Sequence, residues 1–384
     1  MAVTPFRMPR RPGCRLALRP IDPVRCHRRQ DLPAALPHHY TVTSARTRCS
    51  SSWRTDSTPH RRNRRSLPGS IIFAPAATAR LSRPPQPVSR PAHTSEIPLP
   101  LFMIGVLMLL VTGATGVIGR RLIENLTTSG QTVRAVSRQP APGLPDTVDL
   151  FSPDAIEAAI TGVECLFVHP RATKDHIGGL LKLATAAGVG RVVVMSAINA
   201  DDPPDHQPSR YNGDRNTETE QAVIDSGLPW VSVRPSSFAM NTLTMWRTQV
   251  TGGDTIFGPY AQFSEAVIHE RDVAEVIARA TFDDTLLGRR IPITGPEALT
   301  VEHMVTLIGH VIGKSLRYQE IPADVAARAM IDHGLDDAFV NALLNRYARE
   351  LERKPTITHE VESILGRPAR SFATWVADHH EAWA

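Results

Sequence analysis

Three things are scarce in this chain of 384 residues, and each scarcity excludes something. Cysteine is the first. Cys14, Cys26 and Cys49 lie near the start without the spacing of a metal site, and only Cys165 occurs beyond them. One thiol makes no intramolecular disulfide, so the later part is expected to fold without covalent staples, in a reducing cytoplasm. Long apolar runs are the second. None reaches the ~20 residues of a membrane span; residues 97–110 come nearest, but they hold two prolines. Lysine is the third, within the first 100 residues, which carry 18 arginines, four acids and half of the 32 prolines.

That opening stretch therefore has a surplus of 14 positive charges, while the remainder carries nine more acids than bases. The formal net charge of +5 is not a property of the part expected to fold. Residues 1–105 have no apolar periodicity and cannot bury enough surface to offset chain entropy, so a disordered Arg/Pro/Ser-rich extension is expected. Three readings stay open: a transit peptide, a nucleic-acid-binding tail, or an over-extended start whose true first residue is Met103, Val106 or Met108. The last is favoured, because arginine without lysine looks more like translated GC-rich sequence than a selected basic arm. Nucleic acid is accordingly not an expected partner, and neither is a membrane.

What is present begins at residue 107. Leu109-Leu110-Val111 suits a buried parallel strand. Thr112-Gly113-Ala114-Thr115-Gly116-Val117-Ile118-Gly119 follows, and Ile118, Leu122, Ile123 and Leu126 then recur at helical spacing. The glycines thus sit where a strand ends and a helix begins. Gly113 can take the backbone angles of a tight turn. Gly116 offers no side chain against a pyrophosphate, and Gly119 lets the helix pack close to the strand. Free N–H groups at the helix start, with the positive end of its dipole, then face phosphate. The expectation is a dinucleotide site made by residues 113–119. Residues 131–137 read as the next strand. An NAD-selective fold usually ends it with an acid that holds the ribose, but none occurs from Gln131 to Pro145. Arg138 stands there and can pair with a 2′-phosphate, which favours NADP(H) over NAD(H).

These features, with a strand ending in Ser196, then Gly227-Leu228-Pro229-Trp230, Val233-Arg234-Pro235 and Arg271-Asp272-Val273-Ala274, resemble the NmrA-like group of atypical short-chain dehydrogenases. The resemblance covers residues 106–384. That group includes NAD(P)H:quinone reductase-like proteins and NADP(H)-sensing regulators. It implies an α/β fold, a doubly wound parallel sheet of Rossmann type over 106–295. It also implies a small C-terminal α-rich lobe, 296–384, closing the substrate cleft with part of 236–270. The resemblance further implies that Asp149, at the end of a short strand, holds the adenine amino group; a helix-flanking acid is the other reading.

Other candidates follow from strand ends, where open α/β sheets bind ligands. The strand 165–168 ends at His169, read equally as an imidazole near the cofactor or as a surface histidine in a loop. The strand 191–196 ends at Ser196, and the strand 230–234 leads to Phe238; both are candidates for the substrate side. Phe238, Met240, Leu243, Met245 and Trp246 are read equally as a wall for a flat substrate or as packed core. Ordinary short-chain dehydrogenases also need a Tyr-x-x-x-Lys pair. Tyr211 with Arg215 imitates it poorly. Counting back from Glu220 puts Asn212 and Asn216 at the paired positions, so Tyr211 is one residue, about 100° of helix, out of register. Arg215 also stays charged and cannot tune a proton. Asp272 is read as fixing structure.

No catalytic residue is assigned. No metal-ligand cluster is found in the sequence. The leading expectation is an NADP(H)-dependent oxidoreductase that passes hydride to a quinone-like or other small carbonyl acceptor. A non-catalytic NADP(H)-sensing regulator and a nucleotide-sugar epimerase-like enzyme are the alternatives. The oligomeric state is left open, with a homodimer among the candidates.

Overall fold

The structure is a computed structural model that describes residues 106–137, 143–144, 147–148 and 152–384. Its strands are β1 (Met108–Thr112), β2 (Thr132–Val136), β3 (Thr147–Val148), β4 (Cys165–Val168), β5 (Arg191–Met195), β6 (Trp230–Pro235), β7 (Thr255–Gly258), β8 (Ser264–Glu265), β9 (Arg290–Ile293), β10 (Leu299–Thr300) and β11 (Arg317–Glu320). Seven of them form one sheet in the order β3-β2-β1-β4-β5-β6-β9, and every pair in it is parallel. The doubly wound fold is as the sequence implied. The order reverses between β1 and β4, which makes the carboxyl ends of those strands the switch point for ligands.

The strands read as unbroken apolar runs because both faces of the sheet are covered. Successive side chains point to opposite faces. Leu109 and Val111 of β1, Cys165 and Phe167 of β4, and Val193 and Met195 of β5 join one core. Leu110, Leu166, Val168, Val192 and Val194 join the other. The helix Val117–Thr128 gives Ile118, Leu122, Ile123 and Leu126 to the first core, at the spacing seen in the sequence. The Cys165 thiol is buried there, and burial pushes its pKa up to about 12, so it stays an unreactive thiol.

A third core gathers residues between 239 and 383, and Trp246, Trp375 and Trp383 are its largest members. Of the five residues read as wall or core, Trp246 is 3 % exposed inside this cluster, with Met240, Leu243 and Met245 against it. Packing thus claims Trp246, while Met240, Leu243 and Met245 are half-buried against this core and Phe238 is half-buried against the first.

Gly252 ends the helix Asn241–Gly252. The helices Ala323–Asp332 and Asp337–Glu350 are parted at Gly334, whose φ of +92° suits glycine. Thr300 caps Val301–Ile312, accepting the His303 N–H at 3.1 Å. The helix Glu360–Leu365 lies outside the lobe core: Val361, Ile364 and Leu365 pack into the first sheet core. No helix among the described residues is long and apolar enough to cross a membrane.

Candidate functional site

The glycine loop joins β1 to the helix Val117–Thr128, at the switch point. Gly113 has a φ of +69°, open to glycine and strained for other residues. The loop is closed by Gly116 N donating to Gly113 O at 2.9 Å and is tied to β2 by Ala114 N donating to Val136 O at 3.3 Å. A Cβ on Gly119 would lie 2.2 Å from Gly113 O and 2.9 Å from Ala114 Cα, both backbone atoms. Only glycine lets this helix start so close to the loop. One on Gly116 would come 3.2 Å from Gly113 O. Thr115, Gly116 and Val117 face solvent, while Ala114, Ile118 and Gly119 are buried. These six positions thus divide into an exposed rim at the helix N-terminus, where backbone N–H groups favour an anion, and a buried base that shapes it.

His169 ends β4 beside this loop. A Cβ on Gly113 would meet its Cβ, Cγ and Cδ2 at 3.1, 3.2 and 3.4 Å. Its backbone N donates to Thr112 Oγ1 at 2.8 Å, and that hydroxyl donates to Phe167 O at 3.0 Å. Thr112 therefore ties the ends of β1 and β4 together. Burial pushes the His169 pKa down, offset in part by the nearby Asp214. Among the described residues its Nδ1 is buried without a hydrogen-bond partner, and so is Oγ of Ser196, which follows β5 and is 3 % exposed. Buried polar atoms nearly always have a partner. Two such atoms, at the carboxyl ends of neighbouring strands, together with the glycine cradle, fit a dinucleotide whose polar groups satisfy them. Arg138 and Asp149 lie outside the described residues, so the structure says nothing of their side chains.

Tyr211 sits on the single turn Pro208–Tyr211 and is 40 % exposed. Arg215 is occupied with backbone carbonyls, donating to Arg210 O at 2.9 Å and Asp214 O at 3.3 Å. Asn216, at the position a lysine would hold, is 7 % exposed and 3.4 Å from Ser209 Oγ. Phe238 is half-buried where the chain leaves β6, with its backbone bridged to Ile268.

The signature segments also acquire roles that their sequence does not announce. Arg234, inside the buried strand β6, donates from Nε to Glu220 Oε1 at 3.0 Å and from Nη2 to Asp201 Oδ1 at 3.0 Å. Burial disfavours its charge, but Glu220 and Asp201 outweigh that and raise its pKa. The Val-Arg-Pro segment thus fixes the stretch after β5 and the helix Asn216–Asp225. Asp272, fully buried, accepts from Arg367 Nη2 at 2.8 Å and from Arg370 N at 2.7 Å. Its role is structural, in line with the sequence reading. The sequence signal in both cases was a charge at a position that periodicity places inside.

A second cluster extends this fastening. His269 caps the helix Glu270–Ala280 by accepting the Arg271 N–H at 3.1 Å. Glu270, fully buried, accepts from Arg121 Nη2 at 3.1 Å and Trp375 Nε1 at 2.9 Å, and His379 Nε2 lies 3.0 Å from its Oε1. Burial favours its neutral acid, but the His269 and His379 rings outweigh that and hold the pKa at about 2. His269, Glu270 and His379 offer ligand atoms within 4.8 Å of one another. Those atoms already serve the helix cap and the Arg121 and Trp375 donors. The arrangement acts as an ion-pair fastening between helices.

Comparison with known proteins agrees with this geometry. The family model described as NAD(P)H-binding matches residues 113–284. The chain is 31 % identical over 285 residues to (4-alkanoyl-5-oxo-2,5-dihydrofuran-3-yl)methyl phosphate reductase of Streptomyces griseus, covering 72 % of this chain and 99 % of the relative. It is 28 % identical over 288 residues to NAD(P)H azoreductase of Xenophilus azovorans, with 72 % and 99 % covered. Among solved structures, an NADPH-dependent quinone oxidoreductase of Escherichia coli superposes with a TM-score of 0.60 at 24 % identity, over 71 % of this chain and 99 % of that one. At that identity the superposition establishes the fold.

Proposed function

The chain belongs to the NAD(P)H-binding family of Rossmann-fold reductases, and from that membership we propose that it is an NADP(H)-dependent reductase of a small, quinone-like acceptor. The observation that carries the proposal is the glycine cradle at the switch point, with the unpartnered His169 Nδ1 and Ser196 Oγ at the adjacent strand ends.

In this reading the rim 115–117 holds the pyrophosphate, Gly119 and Ala114 keep the rim in shape, and Arg138 pairs with the 2′-phosphate. His169, neutral because burial lowers its pKa, contributes a hydrogen bond rather than a charge. A bound nicotinamide supplies hydride. The chain positions the acceptor over the carboxyl ends of β5 and β6, between Ser196 and Phe238. A quinone that gains hydride takes the balancing proton from water, so no side-chain acid is required. That suits a site in which Tyr211 is displaced to an exposed turn.

The test is a titration with NADPH and NADH, then NADPH oxidation against a panel of quinones. Arg138→Ala should weaken NADPH binding by roughly 1.5–3 kcal/mol, the scale of a lost charged hydrogen bond, and leave NADH nearly unchanged. Equal losses for both cofactors would remove Arg138 from the site. Binding without turnover would favour the regulator over the enzyme.

A further inference from the structure

Arg346 reaches out of the lobe helix Asp337–Glu350 to the place where the chain leaves β6. Its Nη1 donates to Ser237 Oγ at 3.0 Å and its Nη2 to Glu265 Oε2 at 2.6 Å. The guanidinium lies 5.8 Å from the centroid of the Phe263 ring, which stacks on Tyr347 at 4.0 Å. Both charged side chains are only 15 % exposed. One side chain therefore joins the lobe helix, strand β8 and the residue before Phe238.

A buried ion pair is a poor source of stability. Desolvation cancels most of its attraction, and an apolar side chain of similar volume often does as well or better. What the pair adds is direction, because a planar fork fixes the two groups it bonds. Ser237 is one of them. Its carbonyl already accepts the Ile268 N–H at 2.9 Å, and Ala239 N donates to Ile268 O at 2.9 Å. The backbone around Phe238 is thus laced to residue 268, and Arg346 sets the Ser237 side chain. The same helix also grips the stretch after β5, where Arg349 Nη2 donates to Asp202 Oδ2 at 2.5 Å. It holds the segments after both strands over which the acceptor is placed.

We propose that Arg346 is a positioning residue for the acceptor: acting through Ser237, it fixes the Phe238 ring as the wall on which a flat acceptor stacks. This rests on the reductase function above. Arg346 does not touch the acceptor, and the cofactor cradle at β1 does not depend on it.

Arg346→Met, Arg346→Lys and Ser237→Ala test it, with menadione as the acceptor and NADPH as the donor. Arg346→Met should raise the KM for menadione about tenfold, the change that ~1.4 kcal/mol produces, with a much smaller change in kcat. Lysine can still pair with Glu265 but cannot also span to Ser237, so Arg346→Lys should raise KM by an intermediate factor. Ser237→Ala, which leaves the ion pair intact, should shift KM in the same direction. The NADPH dissociation constant and the melting temperature of Ser237→Ala should match the wild type. Unchanged KM in Ser237→Ala and Arg346→Lys, even with a lower melting temperature in Arg346→Met, would overturn the role and leave only a structural contact. A wild type that binds NADPH but reduces no quinone would overturn the enzymatic function, and this inference with it. A wild type that turns over while all three variants keep its KM overturns this inference alone.

Discussion

Replacing Glu270 by glutamine should cost this protein much of its stability at neutral pH and little at pH 2. The carboxylate is fully buried, receives donors from Arg121 and Trp375, and lies 3.0 Å from His379 Nε2. Its pKa falls from 4.5 to about 2. A shift of that size corresponds to about 3 kcal/mol, at ~1.36 kcal/mol for each pKa unit. The sign follows from linkage. A carboxyl whose folded pKa is depressed stabilises the fold fully above its unfolded pKa and loses that contribution as pH falls through the folded one. The window is therefore pH 4.5 down to about 2. Glu270→Gln keeps the volume but removes the charge, leaving Arg121 without its counter-ion. Breaking a buried pair in this way costs about 3–5 kcal/mol. At roughly 2 °C of melting temperature for each kcal/mol in a fold of this size, the expected drop at pH 7 is about 6–10 °C. The assay is thermal unfolding of both proteins from pH 7 to pH 2. The gap should narrow steadily below pH 4.5 as the wild type loses what the variant never had. A gap that stays constant across the window would refute the reasoning, because the loss would then come from shape and not from charge.

Two further outcomes bear on the site. Gly119→Ala places a Cβ 2.2 Å from Gly113 O, so helix or loop must move; the overpacking cost is about 1–3 kcal/mol, and NADPH titration should show affinity falling by about tenfold to a hundredfold. Gly178→Ala, in a helix where an added Cβ meets nothing within 4 Å, is the control and should leave affinity unchanged. Tyr211→Phe should keep the quinone reduction rate within a few-fold; a loss of about 10²–10⁴-fold would make that hydroxyl the general acid.

Local chemistry accounts for why so much of the cofactor end was legible. A strand buried on both faces must be apolar throughout, a helix on one core face must repeat every three to four residues, and a strand-to-helix turn on a phosphate needs glycine. Residues 107–126 satisfy all three conditions within one short stretch. The segment from Phe238 to Trp246, read equally as wall or core, was not separable in this way. An aromatic residue bound for the core and one bound for a ligand look the same in sequence, and Trp246 lies in the third core. The charged fastenings were also hidden, because Arg121 and Glu270 are 149 residues apart and His379 farther still.

The sequence by itself determined the parallel sheet and the glycine cradle at its switch point, because each rests on neighbours along the chain. Only the tertiary structure decided that Asp272 and Glu270 fasten the last residues to the sheet layer, that His169 and Ser196 keep buried polar atoms unpartnered, and that Arg346 of the lobe holds Ser237. The reason is physical: a hydrogen bond or ion pair depends on the distance between two groups in space, and loop closure brings such groups together with only a weak dependence on how much chain separates them.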